Sequence, residues 1–290
     1  MNDFVLMTDS CCDLPASLAE ELGLVVVPLN VTLDGQHYKN YLDGREISFP
    51  RFYEKMREVC PVSTAAPSIG DFISYAQPCL EAGKDILYLA FSSALSGTWQ
   101  AGKLAFEELA EQYPQRKLLI VDTHCASLGQ GMLVYRTALR QKAGCTIEEA
   151  AAFAEEARHT QCHWFTANDL NYFYRGGRVS KATAIIGTAL QMKPMMHCDD
   201  NGCLTKYGAV RGRKMSLTAL KEKLKETICD ADGQTIFICH GDCPEEANAL
   251  ADMIRAEVPV KDVIVHYIGP VIGAHTGPDV IGLFHTGTIR

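Results

Sequence analysis

No apolar run in the sequence approaches the ~20 residues that a membrane-spanning helix requires. The N-terminal stretch MNDFVLMTDS has no basic region ahead of its short apolar run, so it does not read as a secretory signal. Positive charge is in deficit. The 27 Lys and Arg stand against 35 Asp and Glu, a net charge of -8, which argues against a nucleic-acid partner. The 12 cysteines include no CxxC pair, so scattered reduced thiols in a cytoplasmic protein are the expectation. The densest group of ligand types is Cys239-His240-Gly241-Asp242-Cys243. It lacks a second pair at zinc spacing, and no metal is expected. What these absences leave is an ordinary globular composition, 47% hydrophobic and 21% charged, in a chain long enough for two domains.

Three catalytic signatures are incomplete. Gly97-Thr98-Trp99-Gln100-Ala101-Gly102-Lys103 matches the start of a phosphate-binding loop, but Leu104 stands where the magnesium-binding hydroxyl belongs. Gly129 and Gly131 begin a dinucleotide fingerprint that Val134 breaks. Ser96 lies in Ala94-Leu95-Ser96-Gly97-Thr98, which is not a nucleophile elbow.

What is present is a regular alternation of strands and helices. Val5–Met7, Val25–Val27, Ile86–Phe91 and Lys117–Val121 read as strands. Helices are expected after Asp13 (as cap), after Ser68 with Asp71 in the capping-box position, over Trp99–Leu109 and Leu128–Lys142, and after Thr146 with Glu149. Asp34-Gly35 signals a hairpin, and Ser63–Ser68 reads as a polar loop. This order predicts parallel βαβ units in an α/β domain. The second half differs. Pro194–Cys198 and Leu204–Val210 form a hairpin around Asp200-Asn201-Gly202, beside further crossover units, so a mixed sheet is expected. Val179–Met192 is apolar and helix-like, and Met215–Ile228 is an amphipathic helix with its lysines outward. The boundary falls near Arg158–Gln161, giving domains 1–159 and 160–290.

Three strands of the first half end in hydroxyl and acidic residues: Thr8-Asp9-Ser10, the stretch Ser92–Thr98, and Asp122-Thr123. Ligands in parallel sheets sit beyond such strand ends. The stretch Phe91–Gln100, FSSALSGTWQ, gathers hydroxyls and a glycine where a helix begins, which suits an anion, although an N-cap with spare serines accounts for it alone. Arg175-Gly176-Gly177-Arg178 combines a tight turn with two guanidinium groups, and His275 lies in a glycine-rich turn. A hydrolase or acyltransferase using Ser96 and His275 is one reading of these residues. A binder of a small polar metabolite is another.

In order, these segments resemble the DegV family of bacterial fatty-acid-binding proteins. The matching stretches are Thr8-Asp9-Ser10 with Asp13-Leu14-Pro15, Thr64 to Ser68, Ser92–Thr98, Asp122-Thr123, Gly176-Gly177-Arg178-Val179-Ser180, Lys193-Pro194 and His275-Thr276-Gly277-Pro278. The resemblance implies a Rossmann-like parallel-sheet domain followed by a mixed-sheet α/β domain, with a long-chain fatty acid between them. It implies carboxylate contacts from Thr64, Ser96 and His275. It further implies no enzymatic activity and no cofactor of the chain's own, and a separate fatty acid kinase that makes the acyl phosphate, with Arg175 and Arg178 docking that kinase or handling phosphate. Transient contact with a membrane surface goes with such a cargo. The tail walls are expected from Val179–Met192 and the FSSALSGTW neighbourhood. Two departures stand out: Ala65-Ala66 replace the family's Ser-Gln, and Asp279 replaces the glycine that closes HTGPG.

Overall fold

The computed structural model describes residues 4–185 and 191–290. Its first half runs β1 (Phe4–Asp9), α1 (Ala16–Glu21), β2 (Val25–Val27), β3 (Asn30–Leu33), β4 (Gln36–Lys39), α2 (Phe49–Arg57), β5 (Val62–Ala65), α3 (Ile69–Glu81), β6 (Asp85–Ala90), α4 (Thr98–Gln112), β7 (Leu118–Asp122), α5 (Leu128–Lys142) and α6 (Ile147–Ala157). The second half runs β8 (Gln161–Thr166), α7 (Asn171–Arg175), α8 (Lys181–Ile185), β9 (Met192–Cys198), β10 (Leu204–Arg211), α9 (Arg213–Thr227), β11 (Thr235–His240), α10 (Pro244–Glu257), β12 (Asp262–Tyr267), α11 (Pro270–Thr276) and β13 (Ile281–Thr286).

β2-β1-β6-β7 is a four-stranded sheet, parallel throughout, as the alternation of strands with helices requires. Its register pairs Thr8 with Leu89 and Ala90 with Asp122, so the hydroxyl and acidic strand ends share one edge. The six-stranded sheet, β10-β9-β8-β13-β11-β12, is mixed: β11 and β12 are parallel, and the other pairings are antiparallel. The α/β architecture with one parallel and one mixed sheet is therefore the one expected.

Helix α5 lies between the two sheets, touching β1 and β6 on one side and β8, β11 and β13 on the other. Leu128, Met132, Leu133 and Val134 are all buried, because a helix covered on two faces needs apolar residues well beyond one stripe. Gly129 and Gly131 make the close approach possible. A Cβ at Gly129 would lie 2.0 Å from His163 Nε2, and one at Gly131 2.5 Å from the Cys12 carbonyl oxygen. The broken dinucleotide motif is thus a packing device.

A three-stranded antiparallel sheet, β4-β3-β5, sits apart from both main sheets. Asp34 and Gly35 both have positive φ, 52° and 77°, as the hairpin turn between β3 and β4 demands. Here the expectation for Ser63–Ser68 needs correction, since Val62–Ala65 is strand β5. Val62 and Thr64 are half-buried and alternate with exposed Ser63 and Ala65, a strand pattern hidden by the small polar residues and Pro67.

Asp13 is also corrected. Helix α1 starts without a side-chain cap, and Asp13, at φ 50°, turns its buried carboxylate away from it. One oxygen accepts from Ser127 Oγ at 2.5 Å and the other from Gly269 N at 3.0 Å, so Asp13 ties the first sheet's edge to α5 and to the entry of α11. The capping boxes at Ser68/Asp71 and Thr146/Glu149 are both formed. In α9, Lys221 is 7% exposed and not outward; Glu222 and Glu257 pair with it. Of Val179–Met192, residues 186–190 lie outside the described residues, while Val179 and Ala184 join the apolar core with Phe165, Phe173 and Phe284.

Candidate functional site

The stretch after β6 is anchored from beneath. Asp9, buried at the end of β1, accepts from Phe91 N at 2.9 Å, Tyr88 Oη at 2.8 Å and Cys11 N at 3.1 Å. Burial pushes its pKa up, and these donors oppose the shift. Ser92 Oγ donates to the Gly202 carbonyl at 3.1 Å, pinning the β9–β10 hairpin onto this loop, and Ser93 N donates to Asp122. The turn closes as Leu95 N and Ser96 N donate to the Ser92 carbonyl. Ser96 Oγ accepts from Thr98 N at 3.2 Å and pairs with Thr98 Oγ1 at 2.8 Å. Ser92 and Ser93 are thus scaffolding, and Ser96 faces the interior.

That interior is a cavity of about 230 Å³, lined from residues 29–127 of the first half and residues 163–284 of the second. It exceeds the ~150 Å³ that accommodates a benzene in a protein core. Its walls are Leu29, Phe91, Phe165, Phe173, Val271 and Phe284, among other apolar side chains. Thr64, Ser96, Arg178 and His275 all line it, and no acidic residue among the described residues does. Ala65 and Ala66 line it too, presenting methyl groups where the family pattern carries a hydroxyl and an amide.

His275 is on α11, a short helix and not the open glycine-rich turn expected. Its Nε2 lies 2.7 Å from Thr64 Oγ1, which edge strand β5 delivers through the Val31–Thr64 register with β3. Nδ1 has no hydrogen-bond partner among the described residues and faces Gly176, where a Cβ would sit only 2.4 Å away. Burial pulls the His275 pKa down to about 4, and the nearby Arg178 charge adds to the shift, so the imidazole is neutral at pH 7. Arg178 donates through Nε and Nη2 to the Leu95 carbonyl, at 3.1 and 2.9 Å, and through Nη1 to Gly176. It therefore clamps the loop that carries Ser96. Arg178 has no carboxylate partner among the described residues, and burial lowers its pKa.

The structure thus brings Thr64, Ser96, Arg178 and His275 to one cavity. Arg175 is not in its lining. It lies in an adjoining surface groove, of about 490 Å³, that shares Thr64, Arg178 and His275 with the inner cavity. Asp279 points away from the site: at φ 64° it is held by Arg57 and by Asn168 Nδ2 at 3.0 Å. Ser96 and His275 are each bonded to a threonine instead of to one another, and no acid contacts His275, so the nucleophile–base–acid relay of a hydrolase is missing among the described residues. The apolar walls from Leu29, Phe165, Val271 and Phe284 were not foreseen. They come from four separate stretches of chain, and ordinary core periodicity conceals them. The described residues hold no group of three or more His, Cys, Asp or Glu able to bind a metal, and no helix among them is long and apolar enough to cross a membrane.

Two main sheets, a helix between them, and a partly open, mainly apolar cavity with hydroxyl, imidazole and guanidinium groups on its wall define a class of α/β protein. The chain belongs to the DegV family, whose model of uncharacterised proteins matches residues 3–287. A DegV domain-containing protein of Clostridium perfringens is 42% identical over 290 residues, covering 100% of this chain and 99% of the relative. A fatty-acid-binding DegV family protein of Thermus thermophilus superposes with a TM-score of 0.88 at 31% identity, covering 99% of this chain and 100% of that one. A DegV lipid-binding protein of Thermotoga maritima gives a TM-score of 0.87 at 28% identity, covering 99% of both chains.

Proposed function

We propose that this protein binds a long-chain fatty acid in the 230 Å³ cavity, with the carboxylate held by Thr64, Ser96 and His275. The observation that carries the reading is the cavity's uneven chemistry: hydroxyl, imidazole and guanidinium groups, with no acid among the described lining residues, beside a larger set of aromatic and aliphatic side chains. Each CH₂ buried there contributes about 0.8 kcal/mol, and a buried carboxylate needs donors or a cation nearby, which this lining supplies. The Thermus and Thermotoga relatives, which bind fatty acid and lipid, support the assignment. In this reading residues 1–159 and 160–290 are the two domains, and the ligand lies between them. The chain carries the acid without transforming it, in the cytoplasm, where its 12 unpaired thiols are at home.

The same reading gives the carboxylate to a separate fatty acid kinase for acyl-phosphate formation. The outer groove is the approach to the Thr64–His275 pair, and Arg175 on it is suited to the partner or to the incoming phosphate. Mass spectrometry of extracted protein tests the first part: a stoichiometric long-chain fatty acid is expected. Protein that is empty and takes up no added fatty acid would overturn it. For the second part, Arg175→Ala is expected to keep its lipid while losing acyl-phosphate formation with a cognate kinase; full activity in that variant rules out the docking role.

A further inference from the structure

A second cleft opens along the C-terminal half of α5 and shares no lining residue with the fatty-acid cavity. Its volume is about 390 Å³, and Arg136 and Arg140 of α5, Phe153 of α6 and Lys261 ahead of β12 line it, together with Cys229, Asp230 and residues 233–235. The chain as a whole is acidic, at a net charge of -8, yet this cleft gathers three cations around one acid, Asp230. None of the three has an ion-pair partner among the described residues.

Arg136 is the unusual member. Its guanidinium is largely buried, and its hydrogen bond goes to a neutral acceptor, Gln161 Oε1, at 2.6 Å. Burial lowers its pKa, and the charge of Arg140 adds to that. Both guanidinium groups lie over the same ring: Arg136 Cζ is 5.3 Å and Arg140 Cζ 4.7 Å from the centre of Phe153. Like charges four residues apart on a helix repel, and a buried cation without a counter-ion is costly. A multiply charged anion between them removes both penalties at once. The planar donor forks of arginine match a phosphate group better than a single lysine does, and aromatic stacking holds the forks in place.

We propose that the cleft formed by Arg136, Arg140, Phe153 and Lys261 is a binding site for a soluble phosphate-bearing small molecule, separate from the fatty-acid cavity. The site joins α5 and α6 to the turn before β11, so its ligand bridges the two halves of the chain. The proposal does not depend on the fatty-acid assignment.

The test is calorimetric titration of the protein as purified, with whatever it carries, with pyrophosphate at low ionic strength. Saturable binding with one site and a Kd at or below about 1 mM is expected. Arg140→Gln and Lys261→Gln, both at exposed positions, are expected to weaken it by about tenfold each, the loss of one charge-assisted contact, while lipid content and thermal midpoint stay unchanged. Arg175→Gln is expected to leave pyrophosphate binding intact. Three outcomes overturn the proposal: no saturable binding, binding unaltered in the Arg140→Gln/Lys261→Gln double variant, or binding lost in Arg175→Gln. Cosedimentation with phosphatidylglycerol vesicles separates a headgroup from a free ligand. A double variant released from vesicles that retain the parent protein makes the cleft a membrane contact, and the soluble-ligand proposal fails.

Discussion

Gly176 and Gly177 stand side by side and do different things. Gly176 has ordinary helical backbone, but a Cβ on it would meet His275 Nδ1 at 2.4 Å. Gly177 has φ 73° and open space around it. Gly176→Ala is therefore expected to push His275 off Thr64 and weaken fatty-acid affinity by about tenfold, the worth of one hydrogen bond to the ligand. Gly177→Ala is expected to cost about 1 kcal/mol of stability through its left-handed backbone while leaving affinity within twofold. Ligand titration paired with urea unfolding of both variants separates the two roles; equal effects on affinity would refute the distinction. Arg178 differs from Arg175 in the same way. It holds the Leu95 carbonyl and faces the cavity, so its removal loosens the Ser96 loop, whereas Arg175 touches only the outer groove.

Among the elements, the tie through Asp13 is the most informative. Burial raises its pKa to about 7, with Ser127 and the Gly269 amide opposing the shift. An acid whose folded pKa is raised binds its proton more tightly when folded, so its cost to stability grows as pH rises from about 4 to 7. Asp13→Asn keeps an acceptor for Gly269 N and removes the charge. Its stability relative to the parent is expected to increase across that pH window, measured as the difference in unfolding free energy. A difference that stays flat with pH would show that Asp13 does not titrate on folding. The tie was invisible in the sequence because Asp before Leu-Pro is also what a helix cap looks like, and its true partners lie 114 and 256 residues away. Local devices were legible: the Ser68 and Thr146 capping boxes, the Asp34-Gly35 turn and the strand-to-helix alternation each need only a few neighbouring residues. Strand β5 was not, since its partner β3 lies some thirty residues earlier (Thr64 pairs with Val31) and its own side chains are small and polar. The polar residues of the cavity, Thr64, Ser96 and His275, could be picked out by family resemblance, while its apolar walls could not, because Phe165, Val271 and Phe284 look like core from any one segment.

On the scale of the whole molecule, buried histidines set the acid limit. Burial pulls His163 to about 3 and His240, His266, His275 and His285 to about 4. These bases stay neutral in the fold while the unfolded chain takes up protons near pH 6.5. Their contribution is complete above pH 6.5 and is lost as the pH falls toward 4. Asp13 acts in the opposite sense, as does Asp9, whose pKa burial also raises, but these two acids stand against the five histidines above and His197, which burial lowers as well. The urea midpoint is therefore expected to drop steadily between pH 7 and pH 5, and an unchanged midpoint over that interval would contradict the burial of these imidazoles.

The placement of β13 has a consequence for how the chain is made. It is the last strand in sequence order, yet it lies between β8 and β11 in the middle of its sheet, and its Gly282 and Phe284 line the cavity. The four strands of the parallel sheet are complete at β7, and helices α5 and α6 that pack on it follow directly, so the first half can form while the ribosome is still working. Strands β8 and β11 have no common partner until Ile281–Thr286 emerges from the exit tunnel and inserts between them. During synthesis the cavity is thus incomplete until this segment arrives, and any molecule that needs all of its walls can enter only after translation has passed β13.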